Sequence, residues 1–288
     1  MTDKIEFFEA PPAWMRERSN CRAVYLPEAG VVELCASDKA IFAGRAREPP
    51  EGGGQGVKRS QRSQRSEASV DLRRSAGRAA QRLRWYALTN RLPVFATFTL
   101  APDKIDRYDA QAVTRRLGQW LDNRVRRKGL RYLIVPERHR DGAIHYHGLM
   151  NDVLPMVESG TWLVPGSKRP RKPRTQRQAA EWREAGHQIV YNLPDWSLGF
   201  STAMYVRGDY HQAVNYVAKY VTKQQEDGGG KVAGRWYYHS GNLDLPEQRV
   251  GSVDVRSLVE RGARVRNLPE AGFSLVFLTV KMDDLLLR

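Results

Sequence analysis

The stretch RYLIVPERHRDGAIHYHGLM, residues 131–150, anchors the reading of this chain. Two apolar runs, 131–137 and 143–150, flank the polar, glycine-bearing RHRDG, which is the signature of a β-hairpin. With a three-residue loop of Arg140, Asp141 and Gly142, position 139 faces 143 and Glu137 faces His145. Gly142 then stands where such a loop takes its left-handed residue. Pro136 lacks a ladder donor, and a bulge there would shift this register. His145 and His147 lie two apart in the second strand, so both imidazoles project from one face, and Glu137 joins them by the register.

Regular patterns extend on both sides. Upstream, VFATFTL (94–100) alternates Val94, Ala96, Phe98 and Leu100 with Phe95, Thr97 and Thr99, as a strand with two distinct faces does. Residues 109–128 predict a helix, with Ala110, Val113, Leu117 and Leu121 at helical spacing, basic residues in the last turns and Gly129 at the C-cap. Downstream, DYHQAVNYVAKYVTK (209–223) places Val214, Val217, Ala218 and Val221 on one helical stripe. Tyr216, Lys219, Tyr220 and Lys223 keep the same spacing half a turn away. Asp209 can cap this helix, and KVAGRWYYHS (231–240) suggests a late strand.

The rest of the chain is legible mainly through charge. Forty-seven Lys and Arg against 32 Asp and Glu give the 288-residue chain a net charge of +15 and make nucleic acid the leading partner. Residues 47–69 read as a flexible basic linker, and a basic helix follows it, carrying Arg82 and Arg84. Residues 165–183 read as a basic loop with Arg169, Arg171, Lys172 and Arg174. The expected organisation is an N-terminal region over 1–84, a main domain over 85–245 and a C-terminal extension over 246–288. Only Cys21 and Cys35 are present, outside any C-x-x-C spacing, which speaks against a disulfide framework or a cysteine-ligated zinc. The opening MTDKIEFFEA lacks a signal-peptide pattern, and the longest apolar stretch, 273–280, is far below the ~20 residues of a membrane span. A cytoplasmic protein with no membrane partner is expected.

The clustered residues imply a chemistry. Two imidazoles and a carboxylate with open coordination positions suit a catalytic divalent cation, and their chemistry alone leaves zinc open. A tyrosine hydroxyl has an ordinary pKa of about 10, so as a nucleophile it needs proton removal or stabilisation of its anion. Lysines and a metal supply that positive charge, and they also neutralise a scissile phosphate. Two tyrosines one helical turn apart, roughly 6 Å by helix rise, can take turns as nucleophile. Trp85, Trp236 and Tyr237 are candidates for stacking on bases.

FATFTL, VPERHRDGAIHYHGLM and NYVAKYVTK, in this order, resemble the three motifs of the HUH endonucleases, specifically the two-tyrosine rolling-circle replication initiators of small phages and plasmids. The resemblance covers residues 94 to about 240. It implies an α+β fold with a central antiparallel sheet and flanking helices. It implies His145 and His147 as metal ligands, Glu137 as the third, and Mg2+ or Mn2+ as the ion. Tyr216 and Tyr220 would be the nucleophiles, with Lys219 and Lys223 steadying the phosphate or phenolate. The partner would be single-stranded DNA at a replication origin in a bacterial host cell. The chain has no G-x-x-x-x-G-K-[ST] pattern, so no nucleotide cofactor is expected and a host helicase is implied alongside the host replication machinery. A relaxase or transposase of the same superfamily and a non-catalytic single-strand-binding protein are the alternatives.

Overall fold

The computed structural model describes residues 4–10, 18–40, 42–43, 61–167, 169–226, 230–269 and 272–288. Along the chain run β1 (Ile5–Glu9), β2 (Arg18–Ser19), β3 (Cys21–Leu26), β4 (Val31–Ser37), β5 (Phe42–Ala43), α1 (Gln61–Thr89), β6 (Val94–Leu100) and α2 (Ala110–Lys128). There follow β7 (Tyr132–Arg138), β8 (Ile144–Met150), β9 (Val157–Leu163), α3 (Gln176–Glu184), β10 (Gln188–Asn192), β11 (Gly199–Tyr205) and α4 (Tyr210–Glu226). The remainder is β12 (Tyr238–His239), β13 (Gln248–Ser252), α5 (Val255–Glu260), β14 (Arg264–Leu268), β15 (Phe273–Lys281) and β16 (Leu285–Leu287). The chain divides into two compact units, one of residues 61–244, the other of residues 1–60 together with 245–288.

In the unit of residues 61–244, seven strands form a sheet in the order β12-β7-β8-β6-β11-β10-β9, each paired antiparallel with its neighbours. The fold is α+β, an antiparallel sheet with flanking helices. β6 explains the layering. Its alternate residues Val94, Ala96, Phe98 and Leu100 are buried with Val113, Leu117, Trp120 and Leu121 of α2. Ring centroids of Phe98, Trp120 and Trp196 lie 4.9 to 5.6 Å apart, in the range where aromatic pairs attract beyond simple burial. The ends of α2 are set as its sequence dictates. The Asp109 carboxylate accepts from the amides of Gln111 and Ala112, and Gly129 takes a left-handed φ of 65°.

The other face of β7 and β8 carries α4, which in turn packs on α1. The stripe Val214, Val217, Ala218 and Val221 is buried, and the stripe of Tyr216, Lys219, Tyr220 and Lys223 is exposed or half-buried. Tyr210 fixes the start of this helix. Its hydroxyl donates to the carbonyls of Ala87 and Asn90 and accepts from the amide of Leu92. Close approach of β7 to β8 requires Gly148, where a Cβ would collide with the carbonyl oxygen of Leu133.

The second unit has a sheet in the order β14-β15-β4-β3-β13-β1-β16. Its core joins Ile5, Phe7, Cys21, Ala23, Val32 and Leu34 to Val253, Leu258, Val276 and Leu285. β1 lies between β13, to which it is antiparallel, and β16, to which it is parallel.

Several expectations are altered. Residues 47–60 of the expected linker lie outside the described residues, whereas 61–69 are already helix, the first turns of α1. The basic segment 165–183 is not all loop. Thr175 accepts a hydrogen bond from the amide of Gln178 and starts α3. The late strand shortens to Tyr238–His239, because Val232 and Arg235 bridge to each other in a tight turn instead. Residues 246–288 are not an appendage, since four of the seven strands of the second sheet come from them.

Candidate active site

Glu137, His145 and His147 meet on the hairpin in the register that a three-residue loop requires. Glu137 is directly opposite His145, the amide of His139 donates to Ala143, and Gly142 has a φ of 87°. Pro136 introduces no bulge, as β7 and β8 pair without interruption from Tyr132 to Arg138.

The strand next to the hairpin orients both imidazoles. Thr97 of β6 lies opposite His147 and Thr99 opposite His145, and their hydroxyls sit 3.1 and 3.2 Å from the respective Nδ1 atoms. A hydroxyl both donates and accepts, so either threonine can serve either tautomer of its histidine. His147 directs Nε2 at Glu137 Oε2 across 2.8 Å, and both side chains are only 13% exposed. Lys223 of α4 donates to the other carboxylate oxygen, Oε1. Burial alone would raise the Glu137 carboxyl, but hydrogen bonds from His147 and Lys223, with their charge, outweigh it and hold the group down to about 2. Burial lowers His145 to about 4, helped by the neighbouring imidazoles of His139 and His147. At neutral pH His145 is therefore uncharged, with a lone pair available to a cation. The ring of His139 lies against it at a centroid distance of 3.8 Å.

From α4, the ring of Tyr220 stacks on His147 at 4.3 Å and 10°. Its hydroxyl donates to that of Tyr216 across 2.6 Å. Burial and that hydrogen bond push the Tyr220 phenol well above its ordinary value. Tyr216 is 51% exposed and meets the edge of Phe95 at 5.7 Å. Lys219 is exposed on the same side of the helix. The two tyrosines, the two histidines and Glu137 thus lie together.

The donor types suit a divalent cation: one carboxylate and two imidazoles, each tied to a threonine through Nδ1, with Nε2 of His147 engaged by Glu137. The carboxylate is at present divided between His147 and Lys223, and among the described residues no group of three His, Cys, Asp or Glu side chains is arranged to hold a metal ion.

Other candidate residues are placed differently. Arg169, Arg171, Lys172 and Arg174 are exposed between β9 and β10, at the sheet edge four strands from β8. At about 4.8 Å per strand this is roughly 19 Å from the histidines. Lys223, expected to meet DNA, is ion-paired with Glu137. Arg84 bonds Asn215 across 2.9 Å and so ties α1 to α4 beside Tyr216, while Arg82 lies over the ring of Tyr86. Trp236 is not a stacking surface, being 5% exposed with its indole nitrogen donating to Ser75. Thr97, Thr99, Phe95 and His139 had been given no role. The signal for the first three was the polar and aromatic half of the β6 alternation.

Residues 93–225 match the family model of the replication-associated protein ORF2. That segment starts just before β6 and ends inside α4, so it contains the whole cluster described above. The match is a similarity to replication-associated proteins over this segment of the chain. No curated protein and no solved structure matches the chain. Among the described residues, no helix is long and apolar enough to cross a membrane.

Proposed function

We propose that this chain is a site-specific single-strand DNA nickase and strand transferase that initiates and terminates rolling-circle replication through a 5'-phosphotyrosine intermediate. The observation that carries this reading is the seating of Tyr216 and Tyr220 against His147 and Glu137, with Tyr220 stacked on His147 at 4.3 Å. A phenol held at a cation-compatible cluster has what phosphoryl transfer demands: a positioned oxygen nucleophile and positive charge for the phosphate.

In the first transfer the hydroxyl oxygen of one tyrosine forms a bond to the scissile phosphorus. The phenolic proton passes to solvent, and the 3' oxygen leaves and takes up a proton. The tyrosine keeps the 5' phosphate, and the free 3' hydroxyl primes synthesis. After one round the second tyrosine cleaves the regenerated origin, and the displaced 3' end rejoins the held 5' phosphate. Lys219, at the exposed side of both phenols, offsets phosphate charge. His145, His147 and Glu137 are the residues that would hold Mg2+ or Mn2+, and the ion would polarise a phosphate oxygen as a Lewis acid.

The test is incubation of the protein with origin-bearing single strands, with and without Mn2+, followed by denaturing electrophoresis. A metal-dependent covalent adduct that disappears in the double variant Tyr216→Phe, Tyr220→Phe is expected. An adduct that persists in the double variant, or none on any strand of the replicating element, would overturn the proposal.

A further inference from the structure

The face of the sheet that bears the site extends beyond it. β11 pairs with β6 so that Phe200 lies opposite Thr99, Thr202 opposite Thr97 and Met204 opposite Phe95. Since side chains alternate across a strand, these three point to the face that carries His145 and His147. Their neighbours Ser201 and Ala203 are buried on the other side, where the Ser201 hydroxyl bonds the backbone of Leu193. β11 is thus held with Phe200 facing outward. At 74% exposure Phe200 is the most exposed large apolar side chain among the described residues. Thr202 beside it is also exposed. A singly exposed apolar residue is common on protein surfaces. Here the ring stands two strands from β8, roughly 10 Å from the histidines, on a strip otherwise made of Phe95, threonine hydroxyls and Met204, with no carboxylate among them.

We propose that Phe200 is a base-stacking subsite for the single DNA strand whose phosphate reaches Tyr216. The inference rests on the reading of the site as a DNA nickase and specifies where the neighbouring strand lies. An unpaired base offers a flat π-face to the ring, whereas a duplex does not, and stacking of this kind tolerates any base. The strip leaves the backbone to the threonine hydroxyls and to Lys219 at the margin of α4. The net charge of +15 complements a polyanion such as a DNA strand rather than a neutral or basic protein partner. The strand would pass from the cluster at Tyr216 over Thr97 and Thr99 to Phe200.

The experiment measures binding of the full chain to fluorescein-labelled oligo(dT), to an abasic strand of equal length and to a duplex, by anisotropy in EDTA. Phe200→Ala is expected to weaken oligo(dT) roughly 5-fold or more, the scale of one lost base–aromatic stack. It should leave abasic and duplex binding unchanged, and Phe200→Trp should retain the wild-type affinity for oligo(dT). Equal oligo(dT) binding by wild type and Phe200→Ala overturns the subsite, and so does an equal loss on abasic strand and duplex. The two readings fail separately. If no adduct forms at Tyr216 or Tyr220 while Phe200→Ala still loses base-dependent affinity, the nickase reading falls and the base site stands. If the adduct forms and Phe200→Ala binds as wild type, the base site falls alone.

Discussion

Tyr220 donates its hydroxyl hydrogen to Tyr216 across 2.6 Å and lies half buried against His147, whereas the Tyr216 ring is 51% exposed. A phenol raised by burial and already spending its proton in a hydrogen bond is the poorer nucleophile in this state, while the Tyr216 oxygen accepts that bond on a side chain open to solvent. Tyr216 is therefore expected to attack first. In single-turnover reactions on a fresh origin strand, Tyr216→Phe should lose the adduct by on the order of 100-fold or more, and Tyr220→Phe should keep it but fail to release closed product. Equal losses from both variants would contradict the ranking. Glu137 allows a second prediction. Its carboxyl is held at about 2 against an ordinary 4.5, so between these values the native chain keeps a charge that the unfolded chain gives up. Stability from this group is present above pH 4.5 and is lost as pH falls toward 2. Denaturant midpoints at pH 3 and pH 6 should therefore differ less in Glu137→Gln than in wild type.

At the scale of elements, the site depends on how closely β7 and β8 approach and on how α4 is seated. Gly148→Ala would place a methyl group into the carbonyl of Leu133 and the side chain of Ile134. It should cost about 1–3 kcal/mol and displace the neighbouring His147, which thermal unfolding and adduct assays would register together. Tyr210→Phe would leave the amide of Leu92 without its partner at the start of α4 and cost about 1–3 kcal/mol. Adduct assays on the same variant would register the seating of the helix alongside its stability. The sequence revealed these elements where periodicity was strong. The β6 alternation, the caps of α2 and the valine stripe of α4 are local patterns whose physical meaning does not depend on distant residues. The hairpin register was legible because Gly142 and the loop length leave little choice. Phe200 was missed because GFST has too few apolar residues to mark a strand, and its outward direction follows only from pairing with β6. The ion pair of Lys223 was not legible, because charge in a helix does not tell whether a carboxylate 86 positions away will meet it.

For the whole molecule, the division into two units follows from pairings that no local pattern announces. β1, β3 and β4 contribute the first part of a sheet, and β13 to β16 the rest. Residues 61–244 form an uninterrupted unit with their own core, so this segment produced separately is expected to fold cooperatively and to form the tyrosine adduct. Residues 1–60 produced separately should remain unfolded, since Ile5, Phe7 and Cys21 would lack Val253, Val276 and Leu285. Circular dichroism and limited proteolysis of the two pieces would decide both points. Binding of the full chain to single strands should weaken steeply with salt, because phosphate neutralisation releases counterions.

The parallel pairing of Ile5–Phe7 with Leu285–Leu287 also sets an order of events on the ribosome. β1 leaves the exit tunnel long before its partners β13 and β16 are made. At about 5–20 residues per second, β1 waits many seconds for β16, with the β3–β4 hairpin exposing unpaired edges meanwhile. The segment that carries the tyrosines has by then been fully synthesised, so the nascent chain can bring tyrosines and histidines together before β1 and β16 pair.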